Sequence, residues 1–168
     1  MNQHPITVKN QILCALFTAL IVLGTFLRIP VPVVPFTLQF LFTTLAGMLL
    51  GSRLGALSVA CYILLGLAGF PVFTAGGGLA YVFQPSFGYL LGFCLGASVT
   101  GKITGKSPHP SVKRLFAASF AGLLVVYALG MAYCWVISRF YLGDAMTVRT
   151  LLLYCIPLPI PGDLLLCA

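Results

Sequence analysis

Few side chains in this chain could do chemistry, and their scarcity is informative. The 168 residues hold two acids, Asp144 and Asp163, no glutamate, and two histidines, His4 and His109. General acid–base catalysis needs donors and acceptors within hydrogen-bond reach of one another. Both histidines fall in segments expected to face the cytoplasm and Asp144 in an expected wet loop, which argues against a hydrolase or transferase. The six cysteines, Cys14, Cys61, Cys94, Cys134, Cys155 and Cys167, are far apart, with no CxxC or Cys/His cluster. They read as small buried hydrophobes, so neither a metal nor a cofactor is expected. GKITGKS at 101–107 resembles a phosphate loop, but Thr100 stands where the first glycine is required, and no strand precedes it.

What remains is suited to binding. Asp163 follows Pro161 and Gly162 and opens an apolar run. A carboxylate there can cap a helix N-terminus or accept hydrogen bonds from a ligand, and the residues alone allow both. Gly76, Gly77 and Gly78 could bring backbone close to a ligand or form a flexible turn. Gln39 is an amide in an apolar setting, where an unpaired amide is costly, so it needs a partner from protein or ligand. Gly88, Gly92 and Gly96 repeat at four-residue spacing, a ridge for close packing of another helix. Ala15 and Ala19 form a similar small pair, for internal packing or for docking another membrane protein.

The elements that must position these residues are membrane helices. Hydrophobic residues make up 60% of the chain and charged ones 7%, with a mean hydropathy of +1.09. A soluble domain carries about a quarter charged residues. A span needs roughly 20 apolar residues to cross about 30 Å of hydrocarbon. The chain therefore reads as one all-α integral membrane domain over 1–168. Spans are expected at about 11–27, 37–50, 54–68, 86–99 and 115–136. Pro157, Pro159 and Pro161 forbid a continuous helix at the end, which predicts an interfacial segment at 146–156 and the start of a last helix at 162–168. Only seven residues remain for that helix, roughly 10 Å at 1.5 Å per residue, so the sixth helix is expected to be truncated.

Cations sort by connection. Lys9, Arg53, Lys102, Lys106, Lys113 and Arg114 lie before the first span or in the second and fourth connections, while Arg28, Arg139 and Arg149 lie in the others. The positive-inside rule then puts the N-terminus in the cytoplasm of a multi-pass protein of the cell membrane. The net charge of +7 serves topology in a lipid bilayer, and no nucleic acid is expected. The outward connections carry IPVPVVP, GFPVFTAGGGL and IPLPIPGD. Apolar loops at membrane depth need protein or a cavity over them, which suggests a lidded pocket open to the outside. The spans contain essentially no ionisable residues, so energy for transport must come from a partner.

Four segments in order, PFTLQ (35–39), LLGLAGFPVFTAGGG (64–78), PSFGYLLGF (85–93) and PGDLLL (161–166), resemble the BioY family, the biotin-binding S subunits of energy-coupling-factor (ECF) transporters. The resemblance covers almost the whole chain. It implies a six-helix S-subunit bundle without enzymatic activity, biotin uptake at the outer face, and an ECF module with a transmembrane coupling subunit and two ATPase subunits. It also implies that Asp163 accepts hydrogen bonds from the ureido ring, that the glycine loop closes over the ligand, and that Tyr89 and Trp135 line the pocket. Ala15 and Ala19 match the A-x-x-x-A docking motif. The chain departs from the family at Gly77, where some members carry Asn, and at Leu166, where many carry Lys. An S subunit for another small vitamin, or a membrane enzyme with an unrecognised site, are the alternatives.

The orientation is testable. In intact cells a membrane-impermeant thiol reagent should label Thr74→Cys and miss Ser107→Cys, and the reverse pattern would overturn both the orientation and the outward pocket.

Overall fold

The computed structural model describes residues 7–29, 36–105 and 110–140. The segments expected at 146–156 and 162–168, and with them Asp163, lie outside those residues. Among the described residues the fold is all-helical apart from one two-residue strand pair. Helix α1 runs Val8–Phe26. Strands β1 (Arg28–Ile29) and β2 (Phe36–Thr37) pair antiparallel, with Arg28 opposite Thr37. Helix α2 covers Gln39–Leu67, a 3₁₀ turn covers Leu79–Phe83, α3 is Phe87–Thr104 and α4 is Val112–Phe140.

Helix α2 is two arms. Gly51 adopts φ 82° and ψ 175°, a left-handed backbone that glycine alone enters without a Cβ penalty. The chain reverses there, and Gly55 of the second arm (52–67) lies against the backbone of Gly47 in the first (39–50). The GSRLG segment, expected as a connection between spans, is thus a reversal at one residue with helix on both sides. Its tightness depends on Gly47 and Gly55 meeting across the fold, which no local pattern reveals.

Each helix packs on its neighbours through small residues and hydroxyls. The second arm runs parallel to α1: Cys14 Sγ donates to Leu54 O at 3.6 Å, Thr18 Oγ1 to Ser58 O at 3.0 Å, and Thr25 Oγ1 meets Tyr62 Oη at 3.1 Å. Helix α3 runs antiparallel to that arm, tied by Ser52–Ser98 at 2.8 Å and by Cys94 Sγ donating to Ala56 O at 3.5 Å. A side chain on Gly47 would strike the Ala97 carbonyl. Helix α4 returns along α3 with Gly88 under Tyr133, and Gly92 and Gly96 against Val126. The four-residue glycine repeat is therefore the α3–α4 seam, where missing side chains let the backbones approach.

Several limits differ from the apolar segments, and α4 runs on to Phe140, past the expected 136. Helix α3 continues to Thr104 and α4 begins at Val112, both inside the stretch expected as a polar connection at 100–114. Thr100 and Thr104 are buried, and their hydroxyls donate to Ala118 O at 3.2 Å and Thr100 O at 2.9 Å. Arg114 Nε donates to Ile103 O at 2.6 Å, satisfying a carbonyl at the end of α3. Residues 101–104 are helical, so GKIT continues α3.

Polarity is distributed as lipid requires. Thr18, Thr25, Gln39, Thr43, Thr44, Ser58 and Ser119 are buried, whereas Ile12, Leu16, Leu57, Leu64, Leu91, Leu95, Phe116, Phe120 and Leu124 are exposed. In water that arrangement would be inverted. Among the described residues Val8–Phe26 and Val112–Phe140 are each long and apolar enough to cross a membrane, and the equally apolar Gln39–Leu67 is divided at Gly51 into two shorter antiparallel arms.

Candidate functional site

At the end where α1 and α4 finish and α3 begins, the packing gives way to a covered polar cluster. Two segments form the cover. The first is the β1–β2 pair, which returns the chain from α1 to α2, with Leu38 N donating to Leu27 O at 3.2 Å. The second is the loop 69–78 with its 3₁₀ turn. That loop folds back onto the end of α2: Gly78 N donates to Gly66 O at 2.7 Å, and Phe73 and Gly76 exchange backbone hydrogen bonds at 2.9 and 3.2 Å. Gly76 and Gly78 have φ of 111° and 104°, the left-handed region that side chains disfavour. Phe73 turns inward over Gly66 and packs edge-on to Tyr62, with ring centroids 5.4 Å apart.

Beneath the cover, polar groups connect the elements. Tyr62 Oη donates to Val72 O at 3.1 Å and so joins α1, the second arm of α2 and the loop. Thr74 Oγ1 meets Tyr81 Oη at 2.8 Å, and Tyr81 Oη meets Ser86 Oγ at 3.2 Å. Tyr133 Oη donates to Val82 O at 2.5 Å, tying α4 to the 3₁₀ turn. The Arg28 guanidinium reaches from β1 to donate to the Thr74 carbonyl.

Gln39 lies in this cluster and is 2% exposed. Its Oε1 accepts from Thr37 Oγ1 at 3.3 Å. Its Nε2 is buried and makes no well-formed hydrogen bond among the described residues, although the Tyr62 hydroxyl is close by. A buried donor left unmade costs about 1–3 kcal/mol, so this amide is suited to an acceptor better placed than the nearby Tyr62 hydroxyl.

The expected site residues divide. Gln39 and the glycine loop come together through Thr37, Arg28 and Thr74. Gly77, expected to free backbone for a ligand, instead packs on protein: a Cβ there would collide with the Phe70 carbonyl. Tyr89 is buried in the α3–α4 seam, its ring 6.2 Å from that of Tyr127 and against Gly130. Trp135, expected to line the pocket, is 37% exposed with the Arg139 guanidinium 5.8 Å from its ring. Position along α4 put it at the right height, but the helix turns it outward. Ala15 and Ala19 are exposed on α1 and line an apolar groove of about 1100 Å³ shared with Leu57, Cys61 and Leu64 of the second arm. The residues not foreseen are Thr25, Thr37, Tyr62 and Tyr81. Their signal was hydroxyls in apolar surroundings, each of which needs a partner.

Among the described residues no three His, Cys, Asp or Glu side chains gather as a metal site would require. Apolar exterior, hydroxyl-bearing interior and one covered polar end define a multi-pass helical membrane protein. The BioY family model matches residues 1–168, and the chain belongs to the BioY family. It is 47% identical over 134 residues to a probable biotin transporter BioY of Lysinibacillus sphaericus, covering 80% of this chain and 68% of that one. It is 42% identical over 137 residues to the biotin transporter BioY of Thermotoga maritima, covering 81% and 78%. A crystal structure of the S-component for biotin from an ECF-type ABC transporter superposes with a TM-score of 0.78 at 28% identity, covering 95% of this chain and 85% of that one.

The glycine loop gives a direct test. Gly77→Ala should force the loop off Phe70 and cost about 1–3 kcal/mol, as overpacking does. The apparent melting temperature in detergent should fall, while Ala75→Ser, on an exposed loop position, should leave it unchanged.

Proposed function

We infer that this protein is the biotin-binding S subunit of an ECF-type transporter and takes up biotin across the cell membrane. Membership of the BioY family and the likeness to an S-component for biotin support that reading. The observation in this chain that carries it is the buried Gln39 Nε2, which lacks a well-formed hydrogen bond among the described residues beneath a cover of two loops. A ureido ring offers one carbonyl acceptor and two N–H donors. Gln39 Nε2 suits the carbonyl, and the acceptor-only carboxylate of Asp163 suits the N–H groups. The glycine loop, with Gly76 and Gly78 in its left-handed turns, closes the site, and Tyr89 supports its floor from α3. Trp135 enters this reading only as a rim residue.

The proposed architecture is a six-helix bundle with the N-terminus in the cytoplasm. The five helical segments 8–26, 39–50, 52–67, 87–104 and 112–140 are its first five helices, and a sixth begins near Gly162. The covered end then faces outward. ATP hydrolysis belongs to two ATPase subunits of the module, which act through a transmembrane coupling subunit. Ala15 and Ala19 are the proposed docking pair, since exposed small residues let a partner helix approach closely.

Membranes containing only this chain should bind labelled biotin. Asp163→Asn and Gln39→Met should each weaken binding by about ten- to a hundredfold, the equivalent of 1.5–3 kcal/mol for a lost charge-assisted or dry-site hydrogen bond. Affinity within twofold of wild type for both variants would remove these residues from the site, and absence of binding by the unaltered chain would overturn the biotin reading.

Docking is tested separately. Ala15→Leu together with Ala19→Leu should abolish co-purification with the coupling subunit and leave biotin binding intact. Unchanged co-purification would return the pair to a packing role.

A further inference from the structure

Arg28 is the cation that the site described so far does not use. It follows α1 directly, pairs in the strand ladder with Thr37, and sends its guanidinium to the Thr74 carbonyl, two residues before the glycine run. Thr37 in turn donates to Gln39 Oε1. Arg28 therefore stands where the two covering segments meet, above the buried amide. The residue is exposed, and its hydrogen bond to Thr74 occupies only part of a group with five N–H donors.

Among the described residues no acidic side chain stands near it. The chain has only two acidic residues, Asp144 and Asp163, and neither is among the described residues. Arg139, at the end of α4, faces Trp135 instead. An arginine that served only as an interfacial anchor would extend toward lipid headgroups with its stem along the apolar surface. Arg28 is instead drawn over the cover by a backbone carbonyl of the loop. A planar guanidinium held in this way keeps an edge available for a carboxylate, which it engages with two parallel hydrogen bonds.

We propose that Arg28 is the anion subsite at the mouth of the pocket and binds the carboxylate tail of the ligand. The proposal rests on the biotin reading and deepens it. With the ureido ring at Gln39, the valerate chain leads outward and ends in a negative charge that needs a partner at the mouth. Arg28 then contacts the ligand and the glycine loop together, so that an acidic ligand strengthens closure where a neutral analogue does not.

The test compares biotin with biotin methyl ester, which has the same ring and a neutral tail, on membranes containing the full chain. Unaltered protein should bind biotin at least about tenfold more tightly than the ester, the scale of a charge-assisted contact. Arg28→Gln should erase that preference by weakening biotin at least about tenfold more than it weakens the ester. Arg28→Lys, which keeps the charge without the planar fork, should retain part of the preference. An unaltered protein that does not distinguish the two ligands overturns the subsite, as does full preference in Arg28→Gln. Equal weakening of both ligands in Arg28→Gln and Arg28→Lys also overturns it, making Arg28 only a tie between the covering segments. If Arg28→Gln binds neither ligand, retained preference in Arg28→Lys supports the subsite and its loss refutes it. If the unaltered protein binds neither biotin nor the ester, the biotin reading fails instead.

Discussion

In hydrocarbon a polar group has no water to turn to, and that constraint organises this protein. The spans are rich in threonine and serine, and their hydroxyls donate back to carbonyls one turn earlier: Thr18 to Cys14, Thr25 to Ile21, Ser58 to Leu54, Thr104 to Thr100 and Ser119 to Leu115. Pairing within the helix allows these side chains to be buried while leucine and phenylalanine face outward. The hydrophobic effect does not drive helices together in lipid, so association depends on close contact. Gly47 against Ala97, Gly55 against Gly47, and the Gly88–Gly92–Gly96 ridge against α4 supply it.

Against that background the polar cluster at one end stands out. In the helical body most hydroxyls reach a carbonyl of their own helix and a few tie neighbouring helices, whereas at the covered end they link helix, loop and 3₁₀ turn, through Thr25, Tyr62, Val72, Thr74, Tyr81 and Ser86. Such a network couples the loop to three helices, so its geometry is shared by the whole end and not by any one segment. Gln39 Nε2 is the donor this network leaves over. Among the described residues the covered cluster leaves this amide donor unmade and buries no acid, lysine, arginine or histidine, which suits a capture device better than a motor. That is the division of labour the proposed ECF assembly would need.

The surface offers a second contrast. Most of the exterior is leucine, phenylalanine and valine, but α1 and the second arm of α2 leave a groove between them that includes Ala15 and Ala19. The covered end and this groove are joined by the same two helices. A partner seated on that face would therefore press on elements that carry Thr25 and Tyr62, the hydroxyls that tie the loop down.

Much was legible in the chain itself because it depends on composition and periodicity. Apolar runs located the helices, the four-residue glycine repeat identified a helix seam, and the amide at Gln39 required a partner. Polarity alone misplaced the ends of α3 and α4, since Thr100 and Thr104 are satisfied by contacts that a local reading cannot include. The tertiary structure decided which contacts close. It turned α2 back at Gly51, set Gly77 against Phe70, rotated Trp135 outward and carried Arg28 to Thr74. The physical reason is range: helix formation in lipid follows from neighbours a turn apart, whereas the cover is made by residues such as Arg28 and Thr74 that meet only after the helices between them have packed.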